Sequence, residues 1–244
     1  MTAGGMSRLI GVGVGPGDPD LVTIKAVKAL QAADHVFVPV ADTGEVGRAE
    51  ATVVANIDQA RVTRLVFALT DDADRNSGAW DAAGKAVADA IHNGGTAAFA
   101  TIGDPNIYST FSYLAQTVRQ LLPAVRIETI PGITAMQDLA ARTGTVLVEG
   151  RERLALLPFT AGEPALSDAL ARFDTVVCYK GGRAMATVLE LVRKAGRLDQ
   201  AVYGARLGLE GEHIAMAADH ESTAAPYLST LIVPALRPVR GGKL

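Results

Sequence analysis

An apolar run of mostly small residues, Thr96-Ala97-Ala98-Phe99-Ala100, leads into Thr101-Ile102-Gly103-Asp104-Pro105-Asn106-Ile107-Tyr108. A strand that is apolar on both faces belongs in a buried parallel sheet with helices over it. The turn after it then lies at the carboxyl end of a strand, the edge of an open α/β sheet where ligands bind. Gly103 has no Cβ and lets a ligand approach the backbone. Asp104 offers a carboxylate beside the amides of a helix expected from about Ile107, and Pro105 sets the direction of exit. Two readings of Asp104 stand side by side: a ligand contact, or a cap on that helix.

The same succession of strand, glycine-bearing turn and helix occurs twice more. A first strand, Leu9 to Val14, ends in Gly13-Val14-Gly15-Pro16-Gly17-Asp18. A dinucleotide fingerprint would need Gly-x-Gly-x-x-Gly and immediate entry into a helix. Counted from Gly13 the last position is Asp18, and counted from Gly11 it is Pro16, so a nicotinamide-dependent oxidoreductase is the weaker reading. The other stretch is Arg126 to Ile130, followed by Pro131-Gly132-Ile133-Thr134-Ala135, where Thr134 reads equally as a helix cap. Gly84-Lys85-Ala86 lacks the earlier glycine and the hydroxyl of a phosphate loop and falls within a helical pattern.

Between these turns the chain alternates. A helix with Leu21, Ile24, Val27 and Leu30 on one stripe is expected, capped by Thr23. A strand His35–Val40, a polar loop 41–47, a helix from Arg48 to Ile57 and a strand Val62–Phe67 follow. A second polar loop spans Thr70 to Gly78, and a long helix starts at Trp80. After Pro123 strands come to dominate: Leu154–Phe159, Thr175–Lys180, Ala201–Leu207, His213–Ala217 and Ser229–Val233, with a helix from Ala184 to Ala195. The pattern predicts α/β architecture in two domains, residues 1–122 and 123–244.

Length and composition agree with a globular core: 244 residues, 49% hydrophobic and 20% charged. A net charge of −3 supplies no overall basic field for nucleic acid. The single cysteine, Cys178, cannot form an internal disulfide and reads as a packed thiol. The four histidines show no metal-ligand spacing, so no metal is expected. No signal peptide and no apolar stretch of membrane-spanning length are recognisable, and the cytoplasm is the expected location.

In order and spacing, Gly13-x-Gly15-Pro16-Gly17-Asp18, Gly103-Asp104-Pro105-x-x-Tyr108 and Pro131-Gly132-Ile133-Thr134 resemble the tetrapyrrole (corrin and porphyrin) methyltransferases. The resemblance runs from about Leu9 to Val233. Finer features are similar to one branch, the precorrin-2 C20-methyltransferases of cobalamin biosynthesis. They are Tyr108-Ser109-Thr110-Phe111-Ser112-Tyr113-Leu114, Ala79-Trp80, Glu149-Gly150, Leu156-Leu157-Pro158 and Tyr179-Lys180-Gly181-Gly182-Arg183. The resemblance implies two αβα domains with the active site in a cleft between them, a homodimer, and S-adenosyl-L-methionine as cofactor. Carried over by motif, the cofactor contacts are Pro16, Ile102, Gly103, Asp104, Ile107, Thr134 and Ala135, with Lys180, Gly208 and Thr230 joining them. Lys180 stands where many members place an apolar residue, so a backbone contact is expected there.

The implied substrate is a reduced tetrapyrrole, precorrin-2 or cobalt-precorrin-2, methylated at carbon 20. A sulfonium methyl is already activated, so the protein mainly has to align donor and acceptor. The sequence names no obvious base for the ring proton; Tyr108 and Asp104 are the candidates, and hydrogen bonding to the cofactor or within the fold is the alternative reading of both. The many carboxylates of such a ring call for cations; Arg48, Arg183 and Arg206 are assigned to them, with Arg75, Arg151 and Lys180 as further candidates. Methylation at another ring position, or tetrapyrrole binding without catalysis, are the alternatives.

Overall fold

The strand that carries the first glycine turn, β1 (Ser7–Gly13), pairs in parallel with both β4 (Gly95–Thr101) and β5 (Arg126–Ile130). This is seen in a computed structural model that describes residues 5–41, 44, 46–67, 73–220, 225–226 and 228–239, with backbone alone at 73–75 and 183. Beyond β4 lie β2 (His35–Val40) and β3 (Val62–Val66), giving an all-parallel sheet of order β3-β2-β4-β1-β5. One face, with Ile10, Val12, Val38, Ala98 and Ala100, packs on α1 (Ile24–Ala32) and α2 (Arg48–Val54). The other, with Leu9, Phe37, Ala97 and Phe99, packs on α3 (Ala73–Ile91) and α4 (Phe111–Leu121). Gly11 lets α4 dock: a Cβ there would lie 2.6 Å from the Phe111 ring. Trp80 of α3 and Tyr113 of α4 stack with centroids 4.3 Å apart.

The second sheet is mixed, in the order β6-β7-β10-β8-β9. Here β6 (Leu154–Pro158) and β7 (Thr175–Tyr179) are parallel. The pairings of β10 (Ser229–Val233) with β7 and β8 (Val202–Ala205), and of β8 with β9 (His213–Met216), are antiparallel. Val177, Val202 and Ile232 meet α5 (Ala135–Thr143) on one face. Val176, Cys178, Leu231 and Tyr203 meet α6 (Glu163–Arg172) and α7 (Met185–Lys194) on the other. Burial pushes the Cys178 thiol up to about 12, so it is a protonated, packed group. Arg197 is 7% exposed and gathers the carbonyls of Leu170, Phe173, Asp174, Val233 and Pro234 on one guanidinium.

The chain divides into compact units at 1–134 and 135–244, not at 122/123. Pro123 ends a helix without ending the sheet, because the next strand, β5, returns to pair with β1. Other expectations shift for local reasons. α3 begins at Ala73, inside the stretch expected to be a loop, since polar residues serve equally on the solvent side of a helix. α2 ends at Val54 rather than Ile57. In α1 the Thr23 cap is present, its Oγ1 accepting from the Ala26 amide at 3.2 Å. The buried stripe, however, is Ala26 and Leu30, and Ile24 is 74% exposed. α4 begins at Phe111, not Ile107, because Tyr108 has φ +50, outside the right-handed helical region. No described helix is long and apolar enough to cross a membrane.

Candidate functional site

Because β4, β1 and β5 are adjacent and in register, their carboxyl ends bring the three glycine turns side by side. The turns are then joined backbone to backbone. The Val14 amide donates to the Thr101 carbonyl at 3.0 Å, and the Gly103 amide to the Gly15 carbonyl at 2.7 Å. Glycine is required where they touch: a Cβ on Gly13 would lie 2.5 Å from the Gly103 oxygen, and one on Gly132 only 2.1 Å from that same atom. Gly103 differs. Its φ is +68, and nothing lies within 4 Å of the place a Cβ would take. A ligand can approach this turn along that open side.

Asp104 ties the second turn to the third. One carboxylate oxygen accepts from the Asn106 amide at 2.8 Å and the other from the Gly132 amide at 3.1 Å. It does not cap a helix at Ile107. The amide that opens α4, on Phe111, is instead taken by Ser109 Oγ at 3.1 Å. On the same edge Pro16 is buried, Ile102 and Ile107 are half-buried and Thr134 is buried, while Tyr108 is 45% exposed. Arg48 is exposed at the first position of α2. Two residues later Glu50 is buried and paired with Arg64 at 2.8 Å, which holds its carboxyl below the usual carboxylate range. Glu50 also accepts the Gly47 amide at 3.2 Å, fixing the start of α2.

In the second unit, the register sets Tyr179, Thr230 and Gly204 in one row across β7, β10 and β8. Lys180 leaves β7, Arg206 and Gly208 leave β8, and Thr230 enters β10 along that same edge. Ala135 joins them through its neighbour, since the Met136 amide donates to the Tyr179 hydroxyl at 3.0 Å. Thr230 is buried, Gly208 half-buried and Arg206 exposed. The side chains of Arg75 and Arg183 lie outside the described residues.

Among the described residues the non-glycines with positive φ are Tyr108 (+50), Lys180 (+58) and Arg206 (+52). All three are candidates from the sequence, and each stands in a turn that follows a strand. Such backbones cost about 1–2 kcal/mol and gather where a site over-determines them. The sequence reading missed Asp138, Arg142 and Glu212, which form an ion-paired chain beside Gly208. The spacing of Asp138 and Arg142 on α5 was an available signal; nothing local pointed to Glu212.

Each edge by itself offers mainly backbone groups, glycines and buried hydroxyls, groups that can hold a polar ligand through main-chain contacts. The buried Asp138 Oδ2, without a hydrogen-bond partner among the described residues, adds an acceptor on α5. S-adenosyl-L-methionine, rich in donors and positively charged, fits such groups.

Comparison with known proteins places this architecture. The chain belongs to the tetrapyrrole (corrin/porphyrin) methylases, whose family model matches residues 8–218. Within that class it is 36% identical over 243 residues to a precorrin-2 C(20)-methyltransferase of Sinorhizobium, covering 96% of this chain and 98% of the relative. A probable cobalt-precorrin-2 C(20)-methyltransferase of Methanocaldococcus jannaschii is 34% identical, over 72% of this chain and 73% of its own. Among solved structures, the uroporphyrin-III C-methyltransferase of Thermus thermophilus complexed with S-adenosylhomocysteine shares the fold. Its TM-score is 0.62 at 19% identity, over 93% of this chain and 97% of that one.

Proposed function

We propose that the chain transfers the methyl group of S-adenosyl-L-methionine to carbon 20 of precorrin-2, or of its cobalt form, in cobalamin biosynthesis. One observation carries the reading: the glycine turns aligned at the β4-β1-β5 edge occur in a chain related over nearly its whole length to a precorrin-2 C(20)-methyltransferase. The cofactor supplies an electrophilic methyl on sulfur; what remains for the protein is to bind, orient and exclude water.

In the first unit Pro16, Ile102, Gly103, Asp104, Ile107 and Thr134 hold the cofactor in this reading, chiefly through their backbone. In the second, Ala135, Lys180, Gly208 and Thr230 do so. Arg48, Arg183 and Arg206 receive the ring carboxylates, a task for which a guanidinium is suited by its planar fork. Carbon methylation forms one C–C bond, breaks one S–C bond and leaves a ring proton to be lost. Of the two candidates only Asp104 is an anion able to take up that proton, although its oxygens already accept the Asn106 and Gly132 amides; Tyr108, a neutral phenol, takes it only by passing its own proton on to solvent. A cytoplasmic homodimer completes the reading, supported by membership of the family; a monomer in light scattering at micromolar concentration would remove the dimer from it.

The test is incubation with precorrin-2 and with cobalt-precorrin-2 in the presence of methyl-labelled cofactor, followed by NMR of the product. A new methyl at carbon 20 is expected. A methyl on another ring carbon would reassign the position, and tetrapyrrole binding without transfer would make the chain a carrier.

A further inference from the structure

The turn 206–212 of the second unit is held more firmly than a surface loop requires. Its own backbone closes it, with the Leu209 amide on the Arg206 carbonyl at 2.9 Å and the Glu212 amide on the Leu209 carbonyl at 3.1 Å. Glu212 Oε2 then reaches back to accept the Gly208 amide at 2.6 Å. Arg142 of α5 places one nitrogen 2.9 Å from each oxygen of Glu212, and its Nε donates to the buried Asp138 at 2.9 Å. The turn is thereby fixed to a helix 70 residues away in the chain. It contains three left-handed residues, Arg206 at φ +52, Gly208 at φ +69 and Gly211 at φ +76. A left-handed arginine persists only where the surroundings impose it.

The charges matter as much as the geometry. Arg206 shares this turn with two carboxylates, Glu210 and Glu212, and the Arg206 guanidinium curls over it, so that a Cβ on Gly211 would lie 3.0 Å from its Nη1. Yet Arg206 forms no ion pair among the described residues; Glu212 is paired with Arg142 instead. Oppositely charged side chains on one short turn would otherwise be natural partners.

We propose that Arg142 and Glu212 are positioning residues for the substrate. Arg142 occupies Glu212, which locks the turn around Gly208 and keeps the Arg206 charge available for a carboxylate of the tetrapyrrole. This rests on the methyltransferase reading given above. Neither residue touches the reacting atoms; both act through Arg206 and Gly208.

The experiment is steady-state methyl transfer with S-adenosyl-L-methionine and precorrin-2. Arg142→Met releases Glu212 to neutralise Arg206, and KM for the tetrapyrrole rises by about tenfold while kcat changes by less than about threefold. Adding Glu212→Gln to that variant removes the competing charge and returns KM to within about threefold of the parent. A purely structural role predicts the opposite, because the second change would then deepen the damage. An unchanged KM in Arg142→Met, or a double variant no better than the single one, overturns the proposal. Should Arg142→Met not fold, Arg142→Gln carries the test: it keeps a donor towards Glu212 without the charge that occupies it, so KM rises by at least about threefold, and an unchanged KM overturns the proposal. If the parent protein transfers no methyl, it is the methyltransferase reading that fails, before any variant is compared.

Discussion

Gly103 and Gly132 lie at one sheet edge, and replacing each by alanine separates ligand contact from fold. In Gly132→Ala the new methyl would stand 2.1 Å from the Gly103 oxygen and 2.8 Å from the Cα and carbonyl carbon of Gly13. Those are backbone atoms that cannot swing aside, so the turns must part. Overpacking of this kind costs about 1–3 kcal/mol, and the upper end applies when no side chain can yield. In Gly103→Ala no atom lies within 4 Å of the new methyl, and the cost is the left-handed backbone alone, about 1–2 kcal/mol. With a urea dependence of about 2 kcal/mol per molar, the Gly132 variant loses about 1.5 M in midpoint and the Gly103 variant about half that. Trp80, the single tryptophan, lies in α3 of the first unit, so its fluorescence reports the unit that contains both glycines. Cofactor binding reverses the order of sensitivity. The Gly103 methyl occupies the open side by which a ligand approaches, and the Kd for S-adenosylhomocysteine rises at least about tenfold, or about 1.4 kcal/mol, by calorimetry. Unchanged affinity in Gly103→Ala would show that the open side does not face the ligand. An unchanged midpoint in Gly132→Ala would show that the interlocked turns yield freely.

Asp104→Ala strips the Asn106 and Gly132 amides of their acceptor, so stability falls by about 1–3 kcal/mol; an unaltered urea midpoint would contradict its role as the tie between turns. Arg197→Met leaves five carbonyls without a shared donor and lowers the melting temperature of the second unit, by roughly 3 kcal/mol of stability. Arg197→Lys recovers only part of this, since an ammonium cannot span that set, and full recovery in circular dichroism melts would refute the account. His220 is held below its ordinary value of 6.5 by burial and by nearby His213, so its neutral form is favoured in the folded state. The associated stability is therefore present above pH 6.5 and is lost as pH falls through the lower folded value. His220→Gln flattens the dependence of the urea midpoint between about pH 7 and 5, and an identical slope in both proteins would exclude the residue as its source.

Periodicity and turn chemistry are local properties, and what they encode was legible in the sequence. The small apolar run before Thr101 is a strand buried on both faces, Thr23 caps α1, and Cys178 is a packed thiol. The three glycine turns stand at strand ends, and their order was enough for the family resemblance. Local patterns do not carry partners. The amide that Asp104 accepts from Gly132 lies 28 residues on, and the carboxylate that occupies Arg142 lies 70 residues on. Each pairing exists only once strands have settled into register. The same holds for the unit boundary: Pro123 looks like a break, but β5 gains its hydrogen bonds from β1, far back in the chain, and so remains in the first sheet. The left-handed backbones of Tyr108, Lys180 and Arg206 were hidden for a related reason. No propensity favours them, and only the closed structure around each turn supplies the free energy that keeps them there.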